Sequence, residues 1–161
     1  QNPYAYGNAW FVDRLQYVDN ANQELDAIKQ LDLHHEAVAD SKFKAALGEA
    51  VKQEGTAIVT LDKYEPNELQ YTVQSAKGGV VVFSEIYYPG WTATVDGKDV
   101  EVGRGNYVLR ASNVKPGEHK VVLTFKPASV KNTETAAYAA YLLLALAIIG
   151  GVVFEVKRKK E

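Results

Sequence analysis

The chain has no cysteine and no methionine. The first absence excludes disulfide staples, thiolate zinc sites and cysteine nucleophiles, and it is compatible with a bacterial cell exterior. The second means that Gln1 is no natural start, so the sequence is expected to be the C-terminal end of a longer chain. The opening residues Gln1-Asn2-Pro3-Tyr4 are polar and uncharged, unlike a signal peptide. A basic surface is also lacking. Four basic residues against Glu155 and Glu161 leave the last seven residues at +2, so with a whole-chain charge of −2 the remainder carries −4. A mildly acidic body argues against nucleic acid as a partner. With 47% hydrophobic and 24% charged residues over 161 positions, the chain is expected to form one globular domain plus an appended element.

What is present begins most clearly at the end. No charged residue occurs between Ala136 and Phe154, and Lys157, Arg158, Lys159 and Lys160 follow. A helix of about 20 residues spans a hydrocarbon layer of roughly 30 Å. The pattern therefore predicts a transmembrane helix over 133–156, capped by Thr133 or Thr135, with Tyr138 and Tyr141 at the interface. A basic tail at 157–161 would be cytoplasmic, placing the preceding body outside. A buried core helix is the competing reading, but it would usually keep a polar stripe. Residues 56–130 read as short strands with turn chemistry between them. Leu69, Tyr71 and Val73 alternate on one face, Val80 to Phe83 form an apolar run suited to a central strand, and Asp96-Gly97 is a two-residue hairpin signal. Further strands are expected at Trp91–Val95, Asn106–Arg110 and His119–Phe125. The fold class is mainly β, an immunoglobulin-like antiparallel sandwich without the antibody cysteines. Residues 1–55 form an α/β lead-in: a strand over Trp10–Val18, a helix through Leu25, Ile28 and Leu31, and a second short helix capped at Asp40-Ser41.

Several stretches together resemble a known family. Asn8-Ala9-Trp10-Phe11-Val12, His35-Glu36-Ala37-Val38 and Phe83-Ser84-Glu85-Ile86-Tyr87-Tyr88-Pro89-Gly90-Trp91 are similar to the C-terminal extracytoplasmic region of YfhO family bacterial membrane proteins. Val95-Asp96-Gly97-Lys98, Asn106-Tyr107-Val108-Leu109-Arg110 and Pro116-Gly117-Glu118-His119 continue the resemblance in order, with a flavour nearest Bacteroidetes members. The resemblance implies a polytopic parent in the bacterial inner membrane, similar to lipid-linked-sugar glycosyltransferases. The domain would lie on the periplasmic side. Partners would be the membrane and the remaining transmembrane helices of the parent. On one reading the domain is a non-catalytic accessory module that also binds or orients a cell-envelope glycan; the rival reading is a structural or protein-interaction module that caps the membrane bundle and touches no carbohydrate. The catalytic acid of such enzymes usually lies in an early loop outside this sequence, so no catalysis and no cofactor are expected of this fragment.

One stretch stands out as a candidate site. Aromatic faces stack on sugar rings and carboxylates accept from hydroxyls, so Glu85, Tyr87, Tyr88 and Trp91 are candidate glycan-binding residues. The alternative is that Trp91 and one tyrosine fill the core while Pro89-Gly90 turns the corner. His34 and His35 are adjacent, and on a strand would face opposite ways, which disfavours a shared metal. His119 reads as a solvated edge residue. Gly78-Gly79 and Gly103-Arg104-Gly105 read as turn glycines, without the spacing of a phosphate loop.

Overall fold

The computed structural model describes residues 6–159. Residues 1–5 of the expected lead-in and 160–161 of the expected tail lie outside the described residues. The chain divides into two compact units, Gln1–Phe125 and Lys126–Glu161.

The first unit is built on one central strand. β6 (Gly79–Ile86) carries Val80, Val81, Val82 and Phe83, all fully buried. Side chains alternate along a strand, and here Val81 and Phe83 face one core while Val80 and Val82 face another. Burial on both faces explains an uninterrupted apolar run where a half-exposed strand would alternate. β6 lies between β1 (Ala9–Val12) and β10 (Leu109–Val114), and β9 (Gly103–Gly105) completes a four-stranded sheet. The facing sheet has the order β4-β5-β11-β7-β8, formed by Ile58–Glu65, Glu68–Ser75, Gly117–Phe125, Trp91–Val95 and Lys98–Val100. Every pairing in these two sheets is antiparallel. Leu69, Tyr71 and Val73 of β5 meet Val81 and Phe83 between the sheets, as their alternation predicts. Val95 pairs with Lys98 across Asp96-Gly97, both at positive φ (52° and 76°), which is the two-residue turn expected. The mainly β, antiparallel character thus agrees with the sequence. The strand order does not establish an immunoglobulin pattern.

The lead-in covers the outer face of the four-stranded sheet. β2 (Arg14–Val18), helix α1 (Ala21–Ile28) and β3 (Glu36–Asp40) form a parallel pair with a helical crossover. Asn20 caps α1 by accepting from Gln23 N at 3.1 Å. Asp40 caps the turn Ser41–Phe43 that leads into α2 (Lys44–Leu47). Val12, Leu15, Ala37, Ala39, Phe43 and Leu47 pack against Val80, Val82 and Ala111. The single strand expected over Trp10–Val18 is instead two, because Asp13 leaves the ladder. Its backbone N–H donates to His35 O, and its carboxylate accepts from Gln53 N. The strand expected over Asn106–Arg110 begins only at Leu109, since Asn106 and Tyr107 sit at φ 47° and 70°, incompatible with an extended ladder. Gly103 and Gly105 are not turn residues but members of β9, and a Cβ on Gly103 would lie 2.5 Å from Leu47 Cδ2. That glycine is there for close packing.

The second unit is helix α3 (Ala128–Arg158). It follows Pro127, so the expected caps at Thr133 and Thr135 lie inside the helix. Leu142, Leu143, Leu144, Leu146, Ile148, Ile149 and Val152 are all exposed. Among the described residues no helix is long and apolar enough to cross a membrane, so the fold does not establish the span expected over 133–156. Alanine, two tyrosines and Gly150-Gly151 dilute its leucine and isoleucine.

Candidate functional site

The residues singled out in the sequence converge only in part. β6 ends at Ile86, the chain turns through Tyr87–Gly90, and β7 opens on Trp91. A bulge between Leu109 and Arg110 shifts the register, so Leu109 pairs with Ile86 while Arg110 pairs with Phe83. Bulges re-aim side chains. Arg110, only 3% exposed, donates from Nε to Ile86 O at 2.9 Å and sets its guanidinium 3.7 Å from the Trp91 ring centroid. Glu85 Oε2 lies 3.7 Å from the same guanidinium. Burial pulls the Arg110 pKa down, and Glu85 opposes that shift. Tyr71, buried beneath and 4.9 Å from Phe83, has its phenol pushed up to about 12, first by burial and then by Glu85. Trp91 also packs on Phe125 at 5.4 Å, and Tyr88 approaches Phe125 at 6.3 Å while remaining exposed.

One face of Trp91 is therefore occupied by the protein's own arginine, a cation–π contact rather than an open platform. Tyr87 does not join it. Tyr87 packs edge-on against Phe43 at 5.5 Å in the other core, and its backbone N–H donates to Val108 O. Glu85, Trp91 and Tyr88 thus share a corner, and Tyr87 belongs to the opposite face.

A concavity lies elsewhere. A cleft of about 540 Å³ is lined by Tyr6, Asn8, Trp10, Ile28, Leu33 and Ser84, and by Asn106, Val108 and Leu109. Trp10 is held by an Nε1–H bond to Leu33 O at 3.0 Å. Tyr6 lies 5.1 Å from Trp10 and stacks on His34 at 3.9 Å. Asn106 binds Val38 as a strand neighbour would, donating its N–H to Val38 O and accepting Val38 N–H on Oδ1. Its Nδ2 is buried with no partner among the described residues. Sequence reasoning missed this group because its members run from position 6 to 109 and no spacing links them. Tyr6, Trp10 and Asn106, a residue type that tolerates the left-handed region, were the signals available.

Several other titratable groups are paired. His34 and His35 lie in the turn before β3 rather than on a strand; His35 Nδ1 lies 3.1 Å from Asp13, while His34 stacks on Tyr6. His119, expected as a solvated edge residue, is largely covered and bonds Asp96 at 2.6 Å. Glu24 is fully buried against Arg104, whose guanidinium stacks between Phe43 and Tyr107. Burial raises the Glu24 pKa and Arg104 opposes it. Among the described residues no three His, Asp or Glu side chains are grouped to hold a metal.

No curated protein and no solved structure matches the chain. Residues 17–133, which run from the end of β2 through β11 into the start of α3, match the model of a family described as bacterial membrane protein YfhO, and the chain belongs to that family.

Proposed function

We propose that the chain is a non-catalytic accessory module of a YfhO family membrane protein, carried on the extracytoplasmic face, where it holds or orients an acceptor glycan of the cell envelope. Helix α3 is its membrane-facing element, with the uncharged length 136–152 covered by lipid or by apolar helices of the parent. The observation that carries this reading is the exposed leucine and isoleucine surface of α3 followed directly by Lys157, Arg158 and Lys159. A water-facing helix rarely exposes so continuous an apolar surface, and basic residues beyond it favour the cytoplasmic side.

The test compares the chain with a version ending at Pro127 in a vesicle flotation assay. At least tenfold more of the full chain should float with anionic vesicles. A full chain that stays in the aqueous layer without detergent sinks the proposal. Sidedness is read with a single reporter cysteine, since the chain itself has none. Thr60→Cys, on exposed β4, should react with a membrane-impermeant maleimide in intact spheroplasts bearing a parent protein whose other cysteines have been replaced. Reaction only after lysis places the unit on the wrong side. Arg110 covering Trp91 favours a second reading for the corner alone, in which Glu85, Tyr88 and Trp91 are structural and touch no carbohydrate.

A further inference from the structure

We propose that the cleft between β1, α1 and the Asn106–Leu109 turn binds one neutral pyranose unit. This deepens the accessory reading above and rests on it, but moves the binding site away from Trp91.

The first support is Asn106. The residue is only 7% exposed, and its amide orientation is fixed because Oδ1 must face the Val38 N–H. The end left over, Nδ2, is sealed from solvent with no acceptor among the described residues. Asn106 is therefore a fixed part of the cleft wall, and the polar groups offered to a ligand are those of Asn8 and Ser84. The walls are the second support. The indole of Trp10 is already fixed through Nε1, and Tyr6 is steadied by His34, so both rings are preset. The third is charge. Among the described residues the lining contains no carboxylate, ammonium or guanidinium group. A phosphate or carboxylate ligand would find no cation there, and an amine no anion. A pyranose fits what remains: an apolar C–H face against aromatic and aliphatic walls, and hydroxyls for carboxamide and serine. The volume lies within the range of small-molecule sites, about 300–1,000 Å³.

The experiment uses the full chain in lipid nanodiscs, since sugar-headed detergents would compete. Methyl glycosides of glucose, galactose, mannose and N-acetylglucosamine are titrated beside octanoate, with saturation-transfer difference and amide shift perturbation as readouts. Expected is millimolar binding of at least one glycoside, with shifts at Asn8, Trp10 (including its indole N–H) and 106–109. Val108→Trp should fill the cleft and weaken binding at least tenfold at an unchanged melting temperature. Where that variant folds poorly, Tyr6→Ala serves, with the same tenfold loss. Silence from every glycoside at tens of millimolar overturns the inference. So does binding of octanoate alone, or shifts confined to Tyr88 and Trp91. Glycoside binding by a chain that fails the flotation assay would uphold the cleft and sink the membrane placement, so the two failures are separable.

Discussion

The aromatic corner and the cleft have similar ingredients and opposite outcomes. Each has a tryptophan, a tyrosine and a nearby polar group. At the corner, a strand bulge turns Arg110 onto Trp91, and Phe125 closes in from the side. In the cleft, Trp10 is fixed by its edge through Leu33, and space remains before the ring. An aromatic residue is a binding element only if the chain leaves a face of it uncovered. Composition cannot report that, because coverage is decided by residues far away in sequence. The comparison predicts that changes at the corner act on stability while changes in the cleft act on binding.

The largest expected effect is at the corner. Trp91→Ala removes a half-buried indole that packs on the intersheet core and strands the Arg110 guanidinium. Full Trp-to-Ala truncation in a core costs about 3–5 kcal/mol, so about 2–3 kcal/mol is expected here. Chemical denaturation measures it, and glycoside binding of the folded fraction should be intact. A variant as stable as the parent but unable to bind would exchange the roles of the two regions.

Next comes the layer on which the cleft depends. A Cβ at Gly103 would meet three atoms of Leu47, which is fully buried and has nowhere to go. Gly103→Ala should cost about 1–3 kcal/mol by overpacking. Asn113 Nδ2 bonds Leu47 O, so amide shifts should spread to Asn113 as Leu47 is displaced. Hydrogen exchange that is unchanged along β9 and β10 would show that the packing there is slack.

A third change touches neither region and acts as the control. Asp96 is held below its ordinary 3.8 first by the hydrogen bond to His119, then by the Lys120 N–H. His119 is raised above 6.5, chiefly by the same bond to Asp96. The carboxylate's contribution is present above 3.8 and lost as pH falls through its depressed folded value. The imidazole's is present below 6.5 and lost as pH rises through its raised one. The pair therefore stabilises most between those ordinary values. Asp96→Asn keeps a residue that tolerates φ 52°. It should return the His119 titration, followed by proton NMR, toward 6.5, and the melting-temperature gap from the parent should be widest in that window. A His119 titration identical in both proteins would show the contact is absent in solution.

How much of this was legible follows the range of each signal. Leu69, Tyr71 and Val73, the apolar run Val80–Phe83, and Asp96-Gly97 are local patterns with one mechanical meaning, and each was placed correctly. The start of β10 was misjudged because two non-glycine residues, Asn106 and Tyr107, adopt the left-handed region, which asparagine tolerates but tyrosine does not announce. β9 was misread because glycine serves turns and close packing alike, and only Leu47 decides between them. The candidate quartet was split because adjacent Tyr87 and Tyr88 leave the turn toward different sides. The helix was legible as a helix, but its start was set by Pro127 rather than by a threonine cap.

The smallest expected change in stability belongs to the cleft, and it is the sharpest test of the comparison. Tyr6 is 39% exposed and touches Trp10 and His34 at the rim. Its truncation loses two aromatic contacts, each worth about 0.5–1.5 kcal/mol when well packed. At an exposed rim the loss should be below about 1 kcal/mol, within a few degrees of melting temperature. If the cleft is the sugar site, Tyr6→Ala should still weaken glycoside binding at least tenfold, because a preset ring at the rim is lost. Trp91→Ala should show the inverse profile, with a marked loss of stability and binding retained. Plotting the two variants as change in melting temperature against change in affinity places them on different axes only if covered and uncovered rings do different work. Should both fall on the stability axis, the cleft is packing space like the corner, and the structural reading extends to the whole unit.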